Sequence, residues 1–402
     1  MFSLDRFYNI VHDNLVSKIH NGKSIYFYPF GTYNNDMILE NNRGKMRRDW
    51  RTDRPFFHCY FFDQEPYYDT TFPIIKDSLL YPDHVYPSTR INILANSEKS
   101  DVKKQFIRSE NYYDWYYFYH GFAALDWYRD FQYLNSTSFN RFDKVFICYN
   151  HLISKYRSYR LHLVSNLISQ DLVKHGVVSL FLEDKDGSWK DTIQSKETPL
   201  DSRARIKIYN TLKNVTNPLI IDTDAPDGSM SAKVDISQLT SALWHIVTET
   251  VYFLPKLHLT EKIFKPIVAK RPFILAGAIG NLAYLKSYGF RTFDQWIDES
   301  YDSEEDHYVR IEKISAEIAR LCAMPKEQLI QMHSEMQEVL EYNFDHFYNK
   351  FKITIVNELV DNFGGVLAQI NNGRQPDNHS QYHTRFELAP EYLEEVKKRL
   401  SK

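Results

Sequence analysis

The side chains most suited to chemistry begin a predicted helix within residues 258–302, directly before an apolar strand. Thr260 can cap this helix, which leaves Glu261 and Lys262 in its first turn beside backbone N–H groups that lack helical partners. An ammonium at a helix start suits a phosphate, and a carboxylate suits the hydroxyl groups of a ribose. An ordinary capped helix with an acid in its first turn is the plain alternative.

Further residues flank this helix on both sides. Glu249 lies twelve residues before Glu261, with a loop between them. Two acids that bracket a loop could hold a nucleotide sugar from both ends, whereas the alternative is a solvated glutamate at a helix end. After the strand, Gly277 and Gly280 bound a turn in which the backbone can approach a phosphate closely. The pattern predicts a donor-binding site at the end of a strand.

A second acidic group follows an aromatic strand over 55–66, where Asp63 and Glu65 precede Pro66. Aromatic surroundings raise the pKa of a carboxyl group and make it an effective general base. Pro66 favours an extended Glu65 at the rim of the sheet. We therefore expect Glu65 to be the base and Asp63 to shape the turn, although a simple strand-ending turn is the commoner interpretation.

A third group follows the predicted strand that ends at Asn150. Arg157 and Arg160 are three residues apart and are predicted to share one helix face. Two such arginines can hold a diphosphate through paired hydrogen bonds, and a solvated helix face is the alternative.

Two competing functions also have support in the sequence. Asp222 and Asp224 form the Asp-x-Asp arrangement of metal-dependent glycosyltransferases, although this short pattern recurs by chance in acidic loops. The aromatic segment 111–131 could stack on sugars in a non-catalytic carbohydrate-binding protein. The chain has 29 Tyr and 27 Phe, and we favour cores and clefts built from these rings.

The order of elements predicts an α/β fold. Strands alternate with helices in both halves of the chain, which indicates two α/β domains with mainly parallel sheets. Residues 135–143 have the composition of a linker. We predict an acceptor-side domain over 1–140, a nucleotide-sugar domain over 141–348, and C-terminal helices over 349–402 that pack back on the first domain.

Composition narrows the class of protein. The apolar fraction of 43% and the charged fraction of 25% are typical of a globular protein. A net charge of −3 argues against a nucleic-acid coat or a polybasic membrane anchor. No apolar run approaches the length of a membrane span, and three dispersed cysteines fit a reducing compartment, so we expect a cytoplasmic protein without a metal site built on cysteine.

One family resembles this chain. The segments "VTET" and "HLTEKIFKPIVAKRPFILAG" are similar to the donor-binding core of α1,3-fucosyltransferases, and "FICYNHLISKYRSYRLHLVSNL" resembles the strand and arginine-bearing helix that open that core. "CYFFDQEP" resembles the family's N-terminal strand that ends in a glutamate. The segment "GNLAYLKSYGFRTFDQWIDESYD" is similar to extensions in glycosyltransferases of bacteria and their viruses. The loop "LPKLH" and the segment "QEP" depart from the family pattern.

The resemblance implies a GT-B fold, with two facing Rossmann-like domains, and sugar transfer with inversion and without an essential metal. It implies Glu65 as the base, Glu249 and Glu261 as contacts of the donor sugar and ribose, and Lys262 with Arg157 or Arg160 as ligands of the diphosphate. The expected donor is a nucleotide sugar, and fucose is one candidate sugar. The expected acceptor is a glycan or another hydroxyl group. The basic loop over 41–54 leaves modified DNA open, but a solvated loop is the favoured interpretation.

Overall fold

Two parallel β-sheets organise the chain, which is a mixed α/β protein, as predicted. The computed structural model describes residues 26–29, 56–62, 66–67, 90–109, 112–133, 142–184, 186–216, 218–219 and 235–373, together with 394 and 398. The chain divides into two compact units, of which the first comprises Met1–Asp126 with Lys352–Lys402 and the second comprises Trp127–Phe351.

The first unit contains a four-stranded sheet whose strands follow one another in chain order, and every described pairing is parallel. Its elements are β1 (Tyr26–Pro29), β2 (Phe56–Phe62), β3 (Arg90–Asn96), α1 (Asp101–Ser109), β4 (Tyr112–Tyr116) and α2 (Tyr119–Trp127). A long helix, Lys352–Gly373, returns to this unit from the end of the chain. The indole nitrogen of Trp115 donates to the carbonyl of Leu359 at 3.2 Å, which fixes the long helix against β4.

The second unit contains the other four-stranded sheet, in the order β10-β9-β5-β6, again with parallel pairing. Its elements in chain order are β5 (Lys144–Cys148), α3 (Tyr159–Ser169), β6 (Gly176–Val178), β7 (Glu183–Asp184), β8 (Gly187–Ser188), α4 (Trp189–Gln194), α5 (Ser202–Leu212), α6 (Ile236–Thr240), β9 (Ala242–Thr248), α7 (Phe264–Val268), β10 (Phe273–Ala276), α8 (Asn281–Ser287), α9 (His307–Ala323), α10 (Lys326–Glu335) and α11 (Gln337–Asp345). The short strands β7 and β8 form a separate antiparallel pair.

Strands β9 and β10 form the centre of the second unit's core. Every residue of both strands is buried, including His245 and Thr248 of β9, which explains why these largely apolar sequences show no alternating pattern. On the helical segment between β9 and β10, the ring of Phe264 lies 5.2 Å from the rings of both Phe347 and Phe351. This aromatic packing fixes the segment that carries Thr260, Glu261 and Lys262.

The aromatic segment 111–131 is largely internal. It forms β4 and α2, and Trp115, Tyr117 and Phe122 are fully buried. A segment that is buried on all sides needs no helical or strand period, so its sequence shows none. The buried rings support the interpretation of this segment as core rather than as a sugar-stacking surface. Among the described residues, no helix is long and apolar enough to cross a membrane.

Candidate functional site

The order of strands in the second unit creates a natural place for a ligand. The chain runs from β5 outward to β6 and then crosses over to β9 on the other side of β5, so the strand order reverses between β5 and β9. In open parallel sheets, ligands bind outside the carboxyl ends of the strands at such a switch point. The hydroxyl of Thr248 donates to the carbonyl of Tyr149 at 3.0 Å and joins the two strand ends. The predicted site residues Asn150 and Glu249 both lie here.

Glu249 immediately follows β9 and is fully buried. Its Oε2 accepts a hydrogen bond from the hydroxyl of Thr260 at 2.6 Å, and its Oε1 accepts one from the backbone N–H of Thr260 at 3.2 Å. Both carboxylate oxygens are therefore directed at the residue that begins the Thr-Glu-Lys segment. In this structure Glu249 positions that segment, and the contact with a donor sugar predicted from the sequence stays a prediction.

Thr260 caps the next helical segment, as the sequence predicts. The segment begins as a 3₁₀ turn over Glu261–Ile263 and continues as α7. The ammonium of Lys262 lies 3.1 Å from the hydroxyl of Thr260 and 3.2 Å from Oε1 of Glu261. The Lys262 side chain is 32% exposed, whereas that of Glu261 is 5% exposed. Because α7 has only five residues, its dipole is small, and the main positive charge at the start of this segment is the Lys262 ammonium.

Lys265 is a second lysine of this segment, and the sequence analysis did not single it out. It follows Lys262 by three residues and is partly buried in the same segment. Burial lowers the pKa of Lys265 to about 8, the charge of Glu261 opposes this shift, and the charge of Lys262 adds to it. The spacing of the two lysines on one helical face could have revealed the pair. The two lysines therefore interact electrostatically, and we call them the cationic group; the charge of Lys265 changes near pH 8.

Arg160 has contacts that differ from the predicted diphosphate clamp. Its two terminal nitrogens donate to the carbonyls of Leu152 and Thr248 at 3.0 Å each, and one also reaches the carbonyl of Glu249 at 3.3 Å. The side chain is 4% exposed, so the guanidinium stabilises the strand ends from within. Arg157 lies in a 3₁₀ turn before α3 begins and is half-buried. The two arginines therefore do not share one α-helical face.

Asn150 is also buried at the switch point. Its backbone N–H donates to the hydroxyl of Ser179 at 2.8 Å, and its side-chain amide donates to the carbonyl of Ser179 at 3.2 Å. The side-chain oxygen Oδ1 is buried and has no hydrogen-bond partner in the described part of the chain. Asn150 thus connects the ends of β5 and β6 and retains one unused acceptor.

The glycine turn after β10 already holds an internal anion. Gly280 has a φ of +76° and precedes α8, a conformation that favours glycine. The carboxylate of Asp302 accepts hydrogen bonds from the N–H groups of Leu282 at 2.8 Å and Ala283 at 3.1 Å. The predicted approach of a phosphate to this turn therefore requires correction, because Asp302 occupies the N-terminus of α8.

Gly277 lies on the other side of this turn, close to Glu249. A Cβ atom placed at Gly277 would lie 3.7 Å from Cβ of Glu249 and 3.3 Å from the side-chain amide of Asn281. The carbonyl of Gly277 accepts a hydrogen bond from Arg310 at 3.2 Å. A side chain at position 277 would therefore be tight against Asn281 but at an ordinary contact distance from Glu249.

The predicted base residues of the first unit, Asp63 and Glu65, lie outside the described residues. Asp222 and Asp224, which belong to the second unit, lie outside them too. After this gap, the described chain continues at Pro66 and Tyr67. The backbone N–H of Tyr67 donates to Oε2 of Glu98 at 2.6 Å, and both residues are almost fully buried. Glu98 lies two residues beyond β3. The sequence analysis missed Glu98, although the rule that strand ends carry site residues could have found it.

A buried lysine lies beside Glu98. The ammonium of Lys103 is 3.0 Å from Oδ2 of Asp114 and 2.9 Å from Oδ1 of Asn96. Burial lowers the pKa of Lys103, and the attraction of Asp114 opposes this effect. Among the described residues, no group of three or more His, Cys, Asp or Glu side chains is arranged to hold a metal ion.

No family model, no curated protein and no solved structure matches this chain. The class of protein is therefore described from its fold and its candidate site. The chain is a mixed α/β protein whose second unit combines a parallel sheet, a topological switch point and a partly exposed cationic group beside that point.

Proposed function

We propose that this protein is an inverting glycosyltransferase that moves a sugar from a nucleotide sugar to an acceptor hydroxyl. The observation that carries the proposal is the contact series from Glu249 through Thr260 to Lys262 at the switch point of a parallel sheet. This series joins a strand end to a partly exposed ammonium, and an ammonium forms strong charge-assisted hydrogen bonds with phosphate oxygens.

In the proposed reaction, the bond between the sugar and the diphosphate breaks, and the nucleoside diphosphate leaves with growing negative charge. Lys262 contacts this diphosphate, and Lys265 adds a second positive charge close by. Fixed cations of this kind stabilise the leaving group without reorganisation at the moment of reaction. Glu249 and Arg160 act as positioning residues, since they fix the strand ends and the start of the lysine segment.

The acceptor hydroxyl needs a general base, and we assign this role to Glu65, with Asp63 as the neighbouring carboxylate. The hydrogen bond from Tyr67 to Glu98 supports this assignment, because it anchors the chain two residues after Glu65 at the carboxyl end of the first sheet. Deprotonation of the acceptor there, opposite the departing diphosphate, would give inversion in a GT-B arrangement of the two units. The sugar, which could be fucose, and the acceptor are further parts of the proposal.

Thermal stabilisation by nucleotides tests this function. We expect nucleoside diphosphates and nucleotide sugars to raise the melting temperature, and EDTA to leave this effect unchanged. Lys262→Ala should weaken diphosphate binding by about 10-fold to 150-fold, the equivalent of ~1.5–3 kcal/mol for a hydrogen bond to a charged group. Lys190→Ala is the matched control, since Lys190 is an exposed lysine in the first turn of α4. Nucleotide binding that needs a divalent ion, or that Lys262→Ala leaves intact, would contradict the proposal.

A further inference from the structure

A second recess in the same unit has a chemistry that the lysine segment does not share. A cavity of about 550 Å³ lies between the first turns of α3, α5 and α9 and the loop that follows β9. Its size falls within the range of small-molecule sites. The first turn of α3 follows β5 and the loop with Tyr252 follows β9, so this cavity borders residues that come after the two strands of the switch point.

Flat aromatic side chains form much of the cavity wall. The rings of Tyr159 and Tyr252 stack at 4.1 Å, and those of His162 and Tyr308 stack at 4.7 Å. The hydroxyl of Tyr252 donates to the carbonyl of His307 at 2.8 Å, which holds one wall in place. Tyr159, Tyr252 and His162 are almost fully buried. Tyr308 is partly exposed, and the Arg203 guanidinium lies 4.6 Å from its ring, so this pair presents the planar surface that a flat ligand can meet.

The charges of the cavity oppose an anionic ligand. Its lining includes four carboxylates and one guanidinium, that of Arg203. Arg203 is bound by the carboxylates of Asp201 and Asp306, at 2.7 Å and 2.8 Å. The same two carboxylates cap α5 and α9, so neither helix N-terminus is open to a phosphate. A neutral group that donates hydrogen bonds fits this lining better than a phosphate does.

One carboxylate at the cavity is available to recognise such a group. Glu304 pairs with Lys313 at 2.9 Å. Glu305 is exposed, and within the described part of the chain it has neither a hydrogen bond nor an ion pair. A free carboxylate accepts hydrogen bonds from N–H groups and repels groups that present only acceptors.

A continuous series of contacts leads from this cavity to the lysine segment. The hydroxyl of Tyr159, a cavity residue, donates to the carbonyl of Glu249 at 2.7 Å. The Glu249 carboxylate in turn binds Thr260, whose hydroxyl lies 3.1 Å from the Lys262 ammonium. Tyr159, Glu249 and Thr260 are buried, so these contacts form a hydrogen-bonded series inside the protein that links an acidic aromatic end to a basic end.

We propose that the cavity binds the nucleoside of the donor, with a preference for bases that carry an exocyclic amino group. Adenine, cytosine and guanine present an exocyclic amino group to Glu305. Uracil and thymine lack this group, and their single ring N–H lies between two carbonyl oxygens that repel a carboxylate. The diphosphate then extends toward Lys262. This inference rests on the proposed function, and it adds which part of the donor each end of the series recognises.

Calorimetric titration of the full chain with ADP, CDP, GDP, UDP and dTDP, and with the five parent nucleosides, tests the proposal. We expect at least one amino-bearing diphosphate to bind about tenfold more tightly than UDP and dTDP, and its nucleoside to bind measurably without phosphate. Glu305→Gln should remove most of that preference. Tyr308→Leu should weaken the nucleoside about tenfold, the usual scale of a lost stacking contact. Glu327→Gln, at an exposed glutamate in the first turn of α10, is the matched control and should change nothing.

Three outcomes separate this inference from the proposed function. Diphosphate binding that needs Lys262 but is unaffected by Glu305→Gln and Tyr308→Leu would overturn the cavity assignment and leave the proposed function standing. Nucleoside binding that needs Tyr308, with no contribution from Lys262, would support the cavity and overturn the donor site. A chain that binds none of these ligands would contradict both.

Discussion

Each of the two sheets has a buried glutamate just beyond the carboxyl end of a strand. The two units differ in the exposure of the lysine near that glutamate. In the second unit, the buried Glu249 accepts the backbone N–H of Thr260 at 3.2 Å. In the first unit, the buried Glu98 accepts the backbone N–H of Tyr67 at 2.6 Å. Each carboxylate follows a strand by one or two residues and fixes a segment that is distant in sequence.

The lysines near these two glutamates differ in their exposure to solvent. Lys103 is 2% exposed and pairs with Asp114, whereas Lys262 is 32% exposed and contacts Glu261. The strand order of the first sheet follows the chain without a reversal among its described strands, while the second sheet reverses between β5 and β9. A buried, paired lysine stabilises its unit, and an accessible one can bind an anion. The comparison is our reason for placing the proposed diphosphate binding in the second unit.

The largest effect should follow a change in the proposed base of the first unit. Glu65→Gln should lower the rate of sugar transfer by about 10²–10⁴-fold, the usual loss for a general base. Nucleotide affinity should hardly change, because the diphosphate is assigned to the second unit. Turnover assays and calorimetry on one preparation check both halves of this expectation.

Asp63→Asn serves as the neighbouring comparison for that experiment. If Asp63→Asn is inactive while Glu65→Gln transfers sugar normally, the base lies two residues earlier than we propose. If both variants remain fully active, the first unit does not supply the base through this segment.

Substitution of Lys262 should affect diphosphate binding, whereas substitution of Lys103 should affect the stability of the protein. Lys262→Ala should weaken diphosphate binding and leave the free energy of unfolding nearly unchanged, because its side chain is partly exposed. Lys103→Met removes a buried charge and leaves Asp114 and Asn96 without this partner, so it should destabilise the protein by ~1–3 kcal/mol. Urea denaturation and nucleotide titration of both variants test this contrast. Equal losses of nucleotide affinity in the two variants would contradict it.

The two positioning carboxylates should behave alike when each is made neutral. Glu249→Gln and Glu98→Gln keep the size of the side chain but place an amide beside a backbone donor, which should cost ~1 kcal/mol in unfolding free energy. Only Glu249→Gln should also reduce diphosphate affinity, since Thr260 lies next to Lys262. A loss of diphosphate affinity in Glu98→Gln, measured by calorimetry, would show that the first unit also contributes to diphosphate binding.

The smallest expected effect is a dependence of diphosphate binding on pH. Burial lowers the pKa of Lys265 to about 8, so its positive charge is present below that pH and lost above it. Diphosphate affinity should therefore fall a few-fold between pH 7 and 9, and Lys265→Arg should remove this decline, because arginine stays charged. Calorimetry across this range measures the change.

The same titration affects stability with the opposite sign. Between about pH 8 and the ordinary lysine pKa of about 10.5, the unfolded chain binds more protons at Lys265 than the folded chain does. The contribution of this group to stability therefore rises with pH in that window. A diphosphate affinity that is constant from pH 7 to 9 would remove Lys265 from the cationic group.

The sequence alone determined the features that depend on neighbouring residues. Alternating strand and helix patterns predicted the mixed α/β class with parallel sheets, which the structure confirms. Thr260 was predicted as a helix cap because a capping side chain binds an N–H group only two or three residues away. The strand end that carries Asn150 was predicted in the same way, from a short apolar run and the residue that follows it. For Glu249 the sequence pattern left helix or strand open, and the structure shows the end of a strand.

Only the tertiary structure decided which partners these residues have. Arg160 binds carbonyls that lie eight and 88 residues away, and Asp302 binds the start of α8 from about 20 residues away. Tyr67 and Glu98 meet across 31 residues. The cavity beside α9 combines four separate segments of the chain. A side chain's sequence neighbours set its local conformation, but packing of distant segments sets its burial and its hydrogen bonds, and those decide which charges remain free for a ligand.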